Sequence, residues 1–155
     1  MEFISPTKGR LTFEEVFREI VEYASLYPDD KYRLIIGTDS QLRDSTCFVT
    51  ALIVHREGKG GRYFYTRRRD EYARSLRQRI FYEASLSLNI ATLFTERLAE
   101  VGADFNLEIH LDVGTNGATK SLVKEVVGMV NGSGYPCKIK PDAFGAATVA
   151  DRYTK

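Results

Sequence analysis

Three extended stretches follow one another between residues 32 and 68, and the chain then alternates helix with strand to its end. Strands joined by short connections can pair antiparallel, whereas strands separated by helices need crossovers and run parallel. A chain carrying both patterns is predicted to build a mixed α/β sheet with helices on both faces. The first stretch, Tyr32 to Thr38, holds the continuous apolar run Leu34-Ile35-Ile36, as expected of a central strand covered on both sides. The second, Cys47 to His55, is rich in β-branched and aromatic residues. Gly58-Lys59-Gly60-Gly61 marks a turn, and Arg62 to Arg68 returns as the third strand of an antiparallel hairpin.

The helical segments are equally legible. Thr12-Phe13-Glu14-Glu15 is a capping box, with Thr12 as N-cap and Glu15 three residues on. Phe13, Val16, Phe17, Ile20, Val21 and Ala24 follow at helical spacing, and the helix should stop before Tyr27-Pro28. A long helix is expected from Tyr72 to Val101, with a break near its start left open. Its apolar stripe is Ile80, Ala84, Ile90, Ala91, Phe94 and Leu98, and Gly102 ends it. Leu107 to Val113 reads as a fourth strand, Lys120 to Val130 as a helix, Tyr135 to Lys140 as a fifth strand and Ala143 to Tyr153 as a last helix. The expectation is a single domain over residues 1–155 built on a five-stranded sheet, with residues 1–28 as a helical N-terminal extension.

No apolar run approaches the roughly 20 residues that span a bilayer, and the N-terminus lacks the pattern of a signal peptide, so a cytoplasmic protein without a membrane partner is expected. Cys47 and Cys137 form no CxxC pair, and both lie in apolar stretches that suit small buried residues. The net charge of +1 gives no global signature of nucleic-acid binding. The distribution says more. Between Arg62 and Arg79 there are seven arginines against Asp70 and Glu71, a local excess that attracts phosphates, with Arg67, Arg68 and Arg69 at its centre. A solvated hairpin and helix start is the alternative reading of the same residues.

Four acidic residues stand out by position. Asp39 lies at the end of the first strand and Asp112 near the end of the fourth. If those strands are parallel neighbours, both carboxylates open into the crevice where ligands collect in open α/β sheets. Glu83 points in nearly the direction of Ile90 and Phe94 at about 100° per residue, and a glutamate inside a buried stripe needs a cation to offset its burial. Asp151 on the last helix is the favoured fourth residue. Asp142, just before that helix, competes with it but also suits an N-cap. Carboxylates on separate elements suit hard divalent ions such as Mg²⁺ or Mn²⁺, and a pair of ions about 4 Å apart can serve both sides of a phosphodiester. His110 alternates onto the strand face of Asp112, while His55 ends a strand at the surface. Neither forms a visible nucleophile–base pair.

The chain resembles the YkuK-like family of bacterial proteins, predicted nucleases of the ribonuclease H-like superfamily. The resemblance is carried by Ile36-Gly-Thr-Asp-Ser-Gln41, His55 with Gly58-Lys-Gly-Gly61, Asp112-Val-Gly-Thr-Asn-Gly117, Val126-Val-Gly-Met-Val130, and Ile139-Lys-Pro-Asp142 through Val149-Ala-Asp-Arg-Tyr-Thr-Lys155. It implies a ribonuclease H-like fold, with the superfamily's acidic positions falling on Asp39, Glu83, Asp112 and Asp151. Gln41 stands where proofreading exonucleases of that superfamily carry a second acid, which disfavours that branch. Asp112-Val-Gly-Thr is similar to a loop of sugar kinases and actin-like ATPases, but those need two such domains. Gly114 to Lys120 lacks the residue order of a phosphate loop.

The leading expectation is a metal-dependent nuclease acting on RNA, DNA or a hybrid, with Asp39, Glu83, Asp112 and Asp151 holding the ions and Arg67, Arg68 and Arg69 binding substrate. A catalytically silent module that binds nucleic acid or protein is the second reading. A small-molecule phosphohydrolase is the third. The oligomeric state is not legible.

Overall fold

Helix α1 (Phe13–Leu26) starts on a reciprocal cap: Thr12 Oγ1 accepts from the Glu15 N–H at 3.2 Å, and Glu15 Oε1 accepts from the Thr12 N–H at 3.1 Å. The computed structural model, which describes residues 1–143 and 145–154, buries Val16, Phe17 and Ile20 of this helix against a seven-stranded sheet. Three strands of eleven residues form the sheet's centre: β3 (Tyr32–Leu42), β4 (Thr46–Arg56) and β5 (Gly60–Asp70). They pair antiparallel along their whole length, from Tyr32↔Arg56 to Leu42↔Thr46 and from Thr46↔Asp70 to Arg56↔Gly60. Helix α2 (Leu76–Val101) then crosses to β6 (Asn106–Gly114), which lies parallel to β3, and a helical turn with α3 (Val123–Gly132) crosses to β7 (Cys137–Lys140), parallel to β6. Helix α4 (Gly145–Thr154) follows. The mixed α/β architecture and the parallel neighbourhood of the first and fourth expected strands agree with the sequence pattern.

Three expectations are corrected. The sheet has seven strands, not five, and the N-terminal extension is not purely helical. Residues before α1 form a hairpin of β1 (Glu2–Ser5) and β2 (Gly9–Thr12), which adds to the β5 edge to give the order β2-β1-β5-β4-β3-β6-β7. Ser5 Oγ closes its turn by accepting from the Lys8 N–H at 3.1 Å, and the cross-strand pair Phe3↔Leu11 is buried in the core. Helix α2 also starts later than Tyr72. Asp70 Oδ1 accepts from the backbone N–H groups of Tyr72 and Ala73, both at 2.8 Å, which holds residues 71–75 in a turn, and a second capping box at Ser75 and Gln78 opens the helix. Its far end is set by Gly102, whose φ of 68° is cheap only for a residue without Cβ.

Strand periodicity explains the two cores. Leu34, Ile36, Leu52, Val54 and Phe64 face α1, α2 and α3 and join Phe94, Ile109 and Val126. Strand residues of the alternate parity, Ile35, Val49, Ala51 and Tyr65, face the other way and pack with Ala150 of α4. The continuous apolar run of β3 thus serves both faces.

Candidate metal centre

The β3–β6 ladder ends at Gly37↔His110. Asp39 and Asp112 each lie two residues beyond that pair, so they share the strand face of its side chains. Glu83 reaches the same place from α2, on the opposite side of the sheet. One carboxylate oxygen from each of Asp39, Glu83 and Asp112 lies within 4.8 Å of the others. Asp39 and Glu83 are buried, and Asp112 is half-buried.

Second contacts fix this arrangement. Ser40 Oγ donates to Glu83 Oε2 at 2.5 Å, and its backbone N–H donates to Asp39 Oδ1 at 2.8 Å. Arg79, one turn before Glu83, donates from Nε to Ser40 Oγ and from Nη2 to the Ser40 carbonyl, both at 3.1 Å. The Lys140 ammonium donates to Asp112 Oδ1 at 2.7 Å. Lys140 pairs with Gly114, and a Cβ at residue 114 would stand 3.3 Å from Lys140 Cβ and 3.8 Å from its Cδ, so the bare glycine lets the lysine stem lie across it.

The electrostatics are those of crowded acids. Burial pushes the Asp39 carboxyl up to about 8, assisted by hydrogen bonding and repulsion from Asp112 and by a hydrogen bond with Asp151. Burial likewise holds Glu83 well above the ordinary carboxylate range; the Ser40 hydrogen bond opposes this, and the charges of Asp39 and Asp112 add to it. The Lys140 ammonium is held charged by its bond to Asp112. Three oxygen donors with no thiolate or imidazole among them match a hard divalent ion.

Of the two candidates for a fourth ligand, Asp151 borders the cluster through its contact with Asp39, although it is exposed and stands outside the group of three. Asp142 is exposed in the turn after β7, where its backbone N–H donates to the Ile139 carbonyl at 2.9 Å. The three arginines do not form one patch, because successive strand residues alternate faces. Arg67 donates from Nε to the Tyr153 carbonyl at 3.0 Å, Arg69 donates to Ser45 Oγ at 3.5 Å, and Arg68 lies on the α2 side with its guanidinium 5.8 Å from the Tyr82 ring. His110 is buried and bonds Glu108 at 2.8 Å; it lines the same small cavity as Glu83 and Asp112 but is not one of the converging group of three. Burial lowers its pKa against the pull of Glu108.

Ser40, Arg79 and Lys140 lie in segments named from the sequence, but nothing there marked them as partners of the carboxylates. Arg79 could have been found from its i−4 spacing to Glu83. Lys140 could not, since its place depends on the register of β7 against β6.

A ribonuclease H-like family model matches residues 15–155, and the chain belongs to that family. It is similar to the "Uncharacterized protein YkuK" of Bacillus subtilis (strain 168), being 36% identical over 166 residues that cover 99% of this chain and 96% of that protein. No solved structure matches it. The family places the chain among proteins of nuclease-type or nucleic-acid-binding function. No helix among the described residues is long and apolar enough to cross a membrane.

Proposed function

We propose that this protein is a metal-dependent nuclease that hydrolyses phosphodiester bonds of RNA, DNA or an RNA–DNA hybrid. The observation that carries the reading is the convergence of Asp39, Glu83 and Asp112 from three separate elements to within 4.8 Å. Like charges brought together in a partly buried place raise the free energy of the folded chain unless a cation joins them. Mg²⁺ or Mn²⁺ fits the donor set, and one or two such ions would activate water and stabilise the departing oxygen.

The chain's own residues have separable parts in this proposal. Asp39 and Asp112 are the ligands fixed by the sheet, and Glu83 is held in place by Ser40 and Arg79. Asp151 stands at the open side as a fourth carboxylate beside Asp39. Arg68 binds a phosphate of the substrate away from the bond that breaks, and Arg67 and Arg69 add positive charge on the other strand face.

The test is a panel of labelled single strands, duplexes and RNA–DNA hybrids incubated with Mg²⁺ or Mn²⁺. Wild type should cleave at least one of them, and Asp39→Asn and Asp112→Asn should abolish cleavage while remaining folded. Cleavage that persists undiminished in Asp39→Asn would trace to a contaminant and remove the assignment. One observation favours the alternative of a silent binding module: Lys140 already neutralises Asp112. Salt-sensitive binding by a wild type that cleaves nothing would establish that reading instead.

A further inference from the structure

We propose that the cavity between α2 and the β1–β5–β4 part of the sheet seats an unpaired nucleobase, so that the substrate of the proposed nuclease is a single-stranded segment; the inference rests on that reading for the chemistry, but not for the binding. The cavity has a volume of about 470 Å³. Phe48, Leu86 and Ile90 give it an apolar floor, and the exposed Asn89 amide adds a group that can hydrogen-bond, while the Thr50 and Thr66 hydroxyls are engaged with Thr38 Oγ1 at 2.9 Å and the Glu2 carbonyl at 2.7 Å. A nucleobase has this same division, with two flat apolar faces and a polar edge.

Arg68 stands at its rim. Its guanidinium makes neither a hydrogen bond nor an ion pair among the described residues, and it lies 5.8 Å from the Tyr82 ring and within reach of the charge of Asp70. Most other arginines around it are engaged: Arg67 and Arg74 bond backbone carbonyls, Arg77 pairs with Glu125, and Arg79 bonds Ser40. Arg68 is therefore a cation left over for an anion from outside the chain. Tyr82 packs on Phe48 with ring centroids 4.6 Å apart, and Phe48 is the ring that lines the cavity. Bases stack on aromatic rings without regard to sequence.

Position links the cavity to the carboxylates. Arg68 pairs with Phe48, and Phe48 pairs with Ser40, the residue that bonds Glu83. At about 4.8 Å per strand, this row spans about 10 Å from Ser40 to Arg68, a reach that one or two nucleotides cover. Helix α2 covers this row, with Arg79 on Ser40 and Tyr82 on Phe48, but Glu83 and Arg68 lie on the same side of the sheet, so a single strand that reaches Glu83 around the start of α2 has Arg68 for a neighbouring phosphate and the cavity for a base. A base in a duplex is stacked on both faces and paired on its edge, and cannot enter without leaving the helix.

The experiment is fluorescence anisotropy with Ca²⁺ in place of Mg²⁺ or Mn²⁺, and again in EDTA. The probes are labelled oligo(dT), oligo(rU), a blunt duplex and an abasic strand of equal length. Wild type should bind one or both single strands at least tenfold more tightly than the duplex or the abasic strand, and the two sugars tell which nucleic acid it takes. Asn89→Trp fills the cavity mouth from an exposed helix position and should cost about tenfold on single strands with little change on duplex. Arg68→Ala should weaken binding and reduce its salt slope by about one. Equal affinity for duplex and single strand, equal affinity for the abasic strand, or wild-type behaviour of a folded Asn89→Trp would each overturn the proposal. Single-strand binding of this kind by a protein that cleaves nothing would keep the cavity and remove the nuclease. Cleavage confined to duplexes would do the reverse.

Discussion

Asp39 has an ordinary pKa of 3.8 when the chain is unfolded and about 8 when it is folded. A carboxyl raised in this way contributes stability that is fully present below about pH 4 and is lost as the pH climbs through 8. Asp39→Asn removes the charge and nearly keeps the size. Its advantage over wild type in metal-free buffer should therefore grow between pH 5 and pH 8, reaching on the order of 2 kcal/mol, or roughly 4–8 °C in melting temperature. Parallel thermal melts at the two pH values check this, and an advantage that shrinks with rising pH would contradict it. Lys140 is the internal counter-cation of the same cluster. Lys140→Ala should lower metal-free stability and move the Mn²⁺ titration midpoint to lower concentration, since an ion no longer competes with the ammonium for Asp112. Calorimetric titration reads that midpoint.

Elements hold these residues in place through packing on the face away from α4. Phe94 of α2 is fully buried, with its ring 4.8 Å from Phe13 and 6.1 Å from Phe17 of α1. Phe94→Ala should cost about 3–5 kcal/mol in urea unfolding. Thr12→Ala, which removes only the cap of α1, should cost about 1 kcal/mol. A reversed order would mean that α1 is held by its cap rather than by its apolar face. The long elements were legible because their signals repeat: the stripe of α2 and the β-branched run of β4 each extend over several residues. The β1–β2 hairpin was missed because each strand has four residues and the buried cross-strand pair is only Phe3 and Leu11, too short a pattern to show a period. Asp39, Glu83 and Asp112 were legible as candidates because each is an acid at a buried or strand-end position. The division of Arg67, Arg68 and Arg69 between two faces follows from strand alternation, which a count of charges along the sequence overlooks.

The molecule as a whole is a sheet whose parallel half parts beyond Gly37 and His110, leaving room for a helix carboxylate to meet two strand carboxylates. Ions that bind only this folded arrangement stabilise all of it, so Mn²⁺ should raise the melting temperature of wild type more at pH 8 than at pH 5, where Asp39 retains its proton. A shift of equal size at both pH values would place the ion elsewhere. The most direct measurement is a crystal structure with millimolar Mn²⁺, read by anomalous difference density at the manganese edge. The account predicts a peak within about 2.5 Å of carboxylate oxygens from Asp39 and Asp112, with Glu83 bound to it directly or through water, and Lys140 drawn away from Asp112. Absence of density among these carboxylates at that concentration, with the Lys140–Asp112 pair intact, would contradict it.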